Sequence, residues 1–456
     1  MLALSRYNII SRFETGKGSS YFLVNPLSGH ADILNEEEHQ KLLNGNFPDQ
    51  QLLLEKGYLV EPAQEQARFR EAYLRFTEDR DKDELQIFFV PTYACNFGCT
   101  YCYQSEYQPE PGWPTREKID AFFSYLDREL AGKKKYVTLF GGEPLLPSKS
   151  AEAGVEYFVE EAAKRGLELA VVTNGFYLKE RLGLLMKAKI REIQVTLDGP
   201  AEIHDRRRAL KGGGPTFDRI VEGVDAALEL GVPINLRVVV DRENLPHLHR
   251  LADIAIARGW TRSAKFKTQI GRNYELYTCQ QAPGKLQTRL ELYQELYQEI
   301  LKHPQIMEFH RPAFHVAKFL FDHQELPGPV FDSCPGCKTE WAFDYSGKIY
   351  PCTAMVGKQG EDVGTYYPKV ELKNDAISSW QDRDVLSISA CKSCPVALIC
   401  GGGCAAIAKS KQGTIGSPDC RPVRELLEIG MSLYFPEGTP ETETEKTNDD
   451  TRNQCC

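Results

Sequence analysis

No run of eighteen or more apolar residues occurs in this 456-residue sequence, so no segment has the length to cross a bilayer as a helix. A secretory signal is also missing: the opening stretch MLALSRYNIISRFETGK has no basic region leading into a long apolar segment and a small-residue cleavage site. Positive charge is not in excess either. The formal net charge is -9, from 55 Lys and Arg against 64 Asp and Glu, which argues against general nucleic-acid binding. With 42% hydrophobic and 26% charged residues the chain reads as an ordinary soluble enzyme of two to four domains. A cytoplasmic location is expected, with neither membrane nor nucleic acid as a partner.

What the sequence has in quantity is cysteine. Fourteen in an intracellular chain point away from a disulfide framework and toward metal or redox chemistry. They cluster: Cys95, Cys99 and Cys102 lie within ACNFGCTYCYQ, then come Cys334, Cys337, Cys352 and Cys391, then Cys394, Cys400, Cys404 and Cys420. Cys279, Cys455 and Cys456 stand apart. Thiolates are soft ligands, which favours iron-sulfur clusters or zinc over calcium or magnesium. The first cluster has three thiols where a closed structural site wants four.

The chain changes texture along its length. Residues 1–83, with YNIISRF, SYFLVNPL, EEEHQKLLNG and QQLLLEKGYLV, read as a small α+β unit. From residue 84, six strand-like runs alternate with amphipathic helical segments: ELQIFFVPT, YVTLFGG, LELAVVTNG, EIQVTLDG, VPINLRVVV and SAKFKTQ. Such repeats imply an α/β fold with a parallel sheet covered by helices, most economically a partial (β/α)6 barrel over 84–325. The unusual residues follow strand ends: the cysteine loop the first, GGEP the second, TNG the third, TLDGP the fourth and DREN the fifth. In such folds that rim carries the chemistry. Residues 326–425 form short segments organised by cysteines, and the polar stretch 436–456 is expected to be disordered.

The C-x3-C-x2-C spacing after a first strand, with an aromatic residue before the last cysteine, resembles the radical S-adenosylmethionine superfamily. That resemblance implies a 4Fe-4S cluster held by Cys95, Cys99 and Cys102, whose open iron chelates S-adenosylmethionine. Reductive cleavage then gives a 5'-deoxyadenosyl radical that abstracts hydrogen from the substrate. A zinc knuckle with a distant fourth ligand is the plainer alternative. On the same resemblance Gly141, Gly142, Glu143 and Pro144 hold the methionine ammonium, Thr173, Asn174, Thr196 and Asp198 contact the cofactor's ribose and carboxylate, Arg208 takes a carboxylate, and Tyr101 packs beside the adenine. Taken alone, Asn-Gly and Asp-Gly at strand ends are turn signals, and HDRRRALKGGG is a solvated basic loop.

Cys337, nine residues, Gly347, four residues and Cys352, followed by Cys391-x2-Cys394-x5-Cys400-x3-Cys404 and then Cys420, resembles a SPASM domain. The resemblance assigns Cys334, Cys337, Cys352 and Cys404 to a first auxiliary 4Fe-4S cluster and Cys391, Cys394, Cys400 and Cys420 to a second, making three in all; two zinc ribbons are the alternative. It implies a maturase of a ribosomally synthesised, cysteine-rich peptide that installs a thioether or carbon-carbon cross-link. The auxiliary clusters accept an electron, and a low-potential donor such as flavodoxin or ferredoxin supplies the first. Residues 1–83 resemble a peptide-recognition domain, which would hold a leader peptide by strand addition. A peptide epimerase with Cys279 as hydrogen donor, an anaerobic sulfatase-maturating enzyme and a zinc-bearing peptide-binding module are the other readings. The sulfatase-maturating class places an acid after the cysteine aligned with Cys352; here that residue is Thr353, with Asp344 nearby.

Overall fold

The computed structural model describes residues 2–16, 18–47, 49–102, 104, 112–272 and 284–437. The expectations for Cys279, Cys455, Cys456 and all but the first residues of 436–456 lie outside the described residues.

The chain opens with β1 (Ala3–Leu4), β2 (Ile9–Thr15), β3 (Gly18–Asn25), β4 (His30–Leu34), α1 (Glu36–Leu43), α2 (Gln50–Glu55), β5 (Leu59–Val60) and α3 (Pro62–Lys82). In β2 the alternation of Ile9, Ser11 and Phe13 with more exposed neighbours buries one face. It pairs antiparallel with β3, which pairs with β4, so β4 is an edge of a three-stranded sheet. Asn35 starts α1 with a reciprocal capping box, its side chain bonding the Glu38 N–H while Glu38 bonds back.

The central layer alternates β6 (Leu85–Val90), α4 (Arg116–Glu129), β7 (Lys135–Leu139), α5 (Lys149–Lys164), β8 (Leu169–Thr173), α6 (Leu178–Leu185), β9 (Ile190–Thr196), α7 (Ala201–Arg207), α8 (Phe217–Glu229), β10 (Ile234–Val240), α9 (Leu248–Ala257) and β11 (Phe266–Arg272). The six strands are parallel and lie in chain order. Ile87, Phe89, Val137, Leu139, Ile193, Val195, Leu236 and Val238 face the helices and are buried with Phe122, Phe158 and Val224. This is the expected α/β array, and its strands end at one rim.

Then follow α10 (Arg289–Lys302), α11 (Ile306–Phe309), α12 (Ala317–His323), β12 (Glu340–Asp344), β13 (Lys348–Tyr350), β14 (Gly364–Thr365), β15 (Glu371–Leu372), α13 (Asn374–Gln381), α14 (Ala397–Cys400), α15 (Ala405–Gln412) and α16 (Val423–Tyr434). The cysteine-organised segment contributes to the same sheet: β12 lies parallel to β6, with Glu340 opposite Gln86 and Asp344 opposite Val90, and β13 to β15 continue antiparallel. Phe343 fixes the join, its ring 5.2 Å from those of Phe122 and Tyr125. Among the described residues the sheet has ten strands, with β11 and β15 at its edges. Among the described residues no helix is long and apolar enough to cross a membrane.

The last helix closes the molecule on its first strands. Val423, Leu427, Met431 and Tyr434 of α16 share a core with Ile9, Phe13, Phe22 and Val24. Leu427 is fully buried there. Leu427→Ala is expected to cost about 2–5 kcal/mol and to expose residues 1–83 to limited proteolysis before the central array is cut, which timed digestion would read.

Candidate functional site

The loop after β6 carries Cys95, Cys99 and Cys102, and backbone hydrogen bonds clamp it from two sides. From the β7 side, Gly142 N donates to Thr92 O (2.9 Å) and Glu143 N to Ala94 O (2.8 Å). From the β9 side, Gly98 N donates to Ala209 O (2.9 Å), Thr100 N to Arg207 O (3.0 Å) and Lys211 N to Asn96 O (2.8 Å). Gly142 is required by contact: a Cβ there would lie 2.1 Å from Ala94 O. Burial, reinforced by Glu143 and the two other thiols, pushes the Cys95 thiol up to about 12. Gly142→Ala must displace this loop. If the displaced loop lets solvent lower the Cys95 pKa by one unit, its labelling by an alkylating reagent in the apoprotein rises about ten-fold.

Glu143 draws the second and third strand ends together. It is fully buried, its Oε1 accepts from Leu145 N and Thr173 Oγ1 (both 2.8 Å), and its Oε2 accepts from Asn174 N (2.7 Å). Burial raises its carboxyl to about 7 against those three donors. Pro144, also buried, lies between the acid and the Leu145 N–H that it accepts. Asn174 Nδ2 donates to Asn96 Oδ1 (2.8 Å) and lies 3.7 Å from Cys95 Sγ. GGEP, TNG and the cysteine loop therefore form one network.

Thr196 and Asp198 are buried, and both Asp198 oxygens are taken by the protein: Oδ2 accepts from Tyr101 OH (2.6 Å) and Arg207 Nε (3.3 Å), and Oδ1 from Val239 N (3.0 Å). Arg207 also bonds Asp241 through Nη1 (2.8 Å) and Val239 O through Nη2 (3.1 Å). Arg208 Nη1 donates to Tyr101 OH (2.5 Å), and its charge opposes the upward shift that burial imposes on Cys99. The basic run is thus buried at Arg207 and Arg208 and is no solvated loop. Asp205 accepts from Thr216 N and Phe217 N at the start of α8.

His204 is fully buried and neutral, its Nδ1 accepting from Asp198 N (3.1 Å). Burial, then Arg208, pulls its pKa down to about 3 from 6.5. Between those values the unfolded chain binds the extra proton, so this contribution to stability is complete above about 6.5 and is lost as pH falls. From pH 6.5 to 5 the loss is about 2 kcal/mol. His204→Asn, whose Oδ1 can replace the acceptor, is expected to remove that part of the acid sensitivity in denaturation curves.

The rim fits a cluster and an anionic, amine-bearing ligand. Three thiols and a buried carboxylate face it, and Asn96 Nδ2 and Arg208 Nε are buried there without a partner. The remaining cysteines fall into two sets. Cys352 is held up by burial, then by Glu340 and the thiols of Cys334 and Cys404, while Cys334 acts on Cys337. Cys391 is raised to about 11 by burial and by Cys400, Cys394 and Cys420. Among the described residues, the only three potential ligand atoms within 4.8 Å of one another belong to His249, Glu299 and His303. There the imidazoles stack face to face at 3.9 Å and Glu299 pairs with Lys302, an arrangement unsuited to a shared ion.

Arg207, Asn96, Asn244 and Glu340 escaped the sequence reading. Asn244 Nδ2 bonds Asp198 O (2.7 Å) and Val239 O (2.9 Å), and Glu340 accepts from Thr353 N (2.7 Å) and Thr353 Oγ1 (2.9 Å). The Asp-Arg-Glu-Asn turn after β10 was the available signal for Asn244. Asp344 is no free base: it accepts from Tyr93 OH (2.9 Å), Ser346 N (2.9 Å) and Ser346 Oγ (2.5 Å).

Residues 89–255 match the family described as the Radical SAM superfamily. The chain is 30% identical over 171 residues to the GTP 3',8-cyclase of Campylobacter fetus subsp. fetus, covering 37% of this chain and 51% of that protein. It spans about half the length of the first relatives it matches. A longer likeness, 26% over 326 residues, is to mycofactocin maturase MftC of Mycobacterium tuberculosis, covering 69% of this chain and 76% of that one. Among solved structures, Streptococcus suis SuiB bound to the precursor peptide SuiA shares the fold, with a TM-score of 0.53 at 14% identity over 92% of this chain and 99% of that chain.

Proposed function

We propose that this chain, whose residues 89–255 form a radical SAM domain, is a peptide maturase that installs a thioether or carbon-carbon cross-link in a ribosomally made precursor. The carrying observation is the rim, where one hydrogen-bonded network ties Glu143 and Asn174 to Asn96 and Cys95 of the three-thiol loop, and Arg208 bonds Tyr101 of the same loop. The long alignment to a maturase and the fold shared with a peptide-bound enzyme support a peptide substrate. When bound, a 4Fe-4S cluster with one open iron supplies the electron that splits S-adenosylmethionine and so starts hydrogen abstraction.

The residues divide the work. Cys95, Cys99 and Cys102 would hold the cluster through three thiolates. Glu143, ionised, holds the methionine ammonium, and its three donors fix its orientation. Arg208 offers its free Nε to the cofactor carboxylate, while Asp198 and Arg207 hold Tyr101 and Arg208 in place. Cys334, Cys337, Cys352 and Cys404, with Cys391, Cys394, Cys400 and Cys420, would hold two auxiliary clusters, which would supply an acceptor for one electron. A flavodoxin- or ferredoxin-like donor supplies the initiating electron. The β4 edge, paired with β3 on one side only, receives the leader peptide as an added strand.

The formylglycine-forming alternative is weakened because Thr353 stands where that class places an acid and Asp344 is bonded to Tyr93 and Ser346, although the Glu340 carboxylate lies against Thr353 and acts on Cys352. Anaerobic purification should give brown protein with about twelve irons per chain and 5'-deoxyadenosine on reduction with S-adenosylmethionine. Colourless, zinc-loaded protein would leave only a binding module. Mass spectrometry of a co-expressed precursor then separates the chemistries: loss of two hydrogens per bond marks cross-linking, and deuterium uptake from heavy water without another mass change marks epimerisation.

A further inference from the structure

The sheet face turned away from the helices carries apolar Phe88 and Val90 on β6, while across β9 to β11 it is polar and side chains pair with one another. Gln86 Nε2 donates to Thr138 Oγ1 (3.4 Å), Gln194 Nε2 to Gln269 Oε1 (2.9 Å) and Asn235 Nδ2 to Glu192 Oε1 (3.4 Å). Lys267 pairs with Glu192 at 2.5 Å. Arg237 breaks this pattern. It is half-buried on β10, between Leu236 and Val238 that face the helices, and its guanidinium makes no hydrogen bond or ion pair with any described residue.

Its position is built. The side chain crosses toward the edge strand β11 and lies on Gly271, where a Cβ would sit 2.9 Å from Nη2 and 3.3 Å from Cζ. Gly271 is inside a strand and its φ is not positive, so the backbone does not require glycine; the missing side chain makes room for the guanidinium. Arg237 pairs in register with Thr196 and precedes Val239, whose N–H bonds Asp198, by two residues. It therefore sits directly below the rim, beside the edge of the sheet.

We infer that Arg237 anchors the substrate by receiving a peptide carboxylate, either an Asp or Glu side chain or a free C-terminus, and so holds the reacting segment under the rim. This rests on the peptide-maturase reading. A planar fork with no acid of its own is matched by a carboxylate, which can take two parallel N–H donors. Arg208, beside the cysteine loop, meets the cofactor carboxylate, so Arg237 remains for the peptide.

The test uses the anaerobically reconstituted holoenzyme with S-adenosylmethionine, treated with phenylglyoxal and mapped by mass spectrometry. Three probes compete: Ac-Gly-Asp-Gly-NH2, Ac-Gly-Gly-Gly-OH and the neutral Ac-Gly-Asn-Gly-NH2. Arg237 should be modified, and 10 mM of a carboxylate probe with a Kd of about 1 mM should slow that modification about ten-fold. Exposed Arg70 should be unaffected, and the neutral peptide should not protect Arg237. Protection by the first probe alone names a side-chain carboxylate, by the second alone a C-terminus, and by both the shared group. An unreactive Arg237, equal protection by the neutral peptide, or full protection by S-adenosylmethionine without peptide would overturn the assignment. Absence of 5'-deoxyadenosine from the same preparation counts against the maturase reading alone, because the protection pattern is scored independently of turnover.

Discussion

With Cys95, Cys99 and Cys102 all replaced by alanine, the protein should form no 5'-deoxyadenosine yet retain about eight of about twelve irons. The two outcomes are linked by where the thiols lie. The first three sit on a loop clamped between the β7 and β9 ends, whereas the others are carried by segments from residue 334 onward and influence one another in two separate sets. Removing one set leaves the thiols of the other two unchanged. Iron and sulfide analysis beside chromatography of the nucleoside checks both halves, and retained turnover would mean the initiating cluster lies elsewhere.

The parts of this architecture legible in the sequence are those written in local pattern. Each of the six parallel strands is a short apolar run ending in an unusual motif, and the alternation of Ile87 and Phe89 with Gln86 and Phe88 reflects a helix-covered face and an inner one. Long-range pairing left no such mark. Glu340–Asp344 reads as a short strand among cysteines, and nothing local shows that it lies parallel to β6. The same holds for α16, whose apolar stripe could cover many surfaces before it is seen against Ile9 and Phe13. The run of three arginines was misleading for a physical reason: neighbouring positions on one turn point in different directions. Arg206 remains exposed while Arg207 enters the protein to meet carboxylates from two strand ends. Motif resemblance brought the rim residues together, but it did not show that Glu143 and Asp198 are each engaged by three donors of the chain itself.

Arg207→Met should lower the unfolding free energy by about 3–5 kcal/mol, because removing one partner strands the buried charges it balanced. Arg207 is 1% exposed, and its partners Asp198 and Asp241 are 0% and 2% exposed at their side chains. Burial acts against the guanidinium charge, but Asp198 and Asp241 outweigh it and raise the Arg207 pKa. Methionine would fill much of the volume without supplying charge or any of the bonds to Asp198, Asp241 and Val239 O. Arg206→Met is the matched control: its pair with Glu243 has the arginine 60% exposed, and such pairs contribute about 0–1 kcal/mol. Denaturant titration of both apoproteins separates the cases. The larger loss should carry a functional consequence through geometry, since Asp198 accepts from Tyr101 and Tyr101 accepts from Arg208. Once Asp198 is left with an unbalanced charge, the group expected to meet the cofactor carboxylate loses its orientation. S-adenosylmethionine retention should therefore fall in Arg207→Met and persist in Arg206→Met, although the two substitutions are adjacent and remove the same charge.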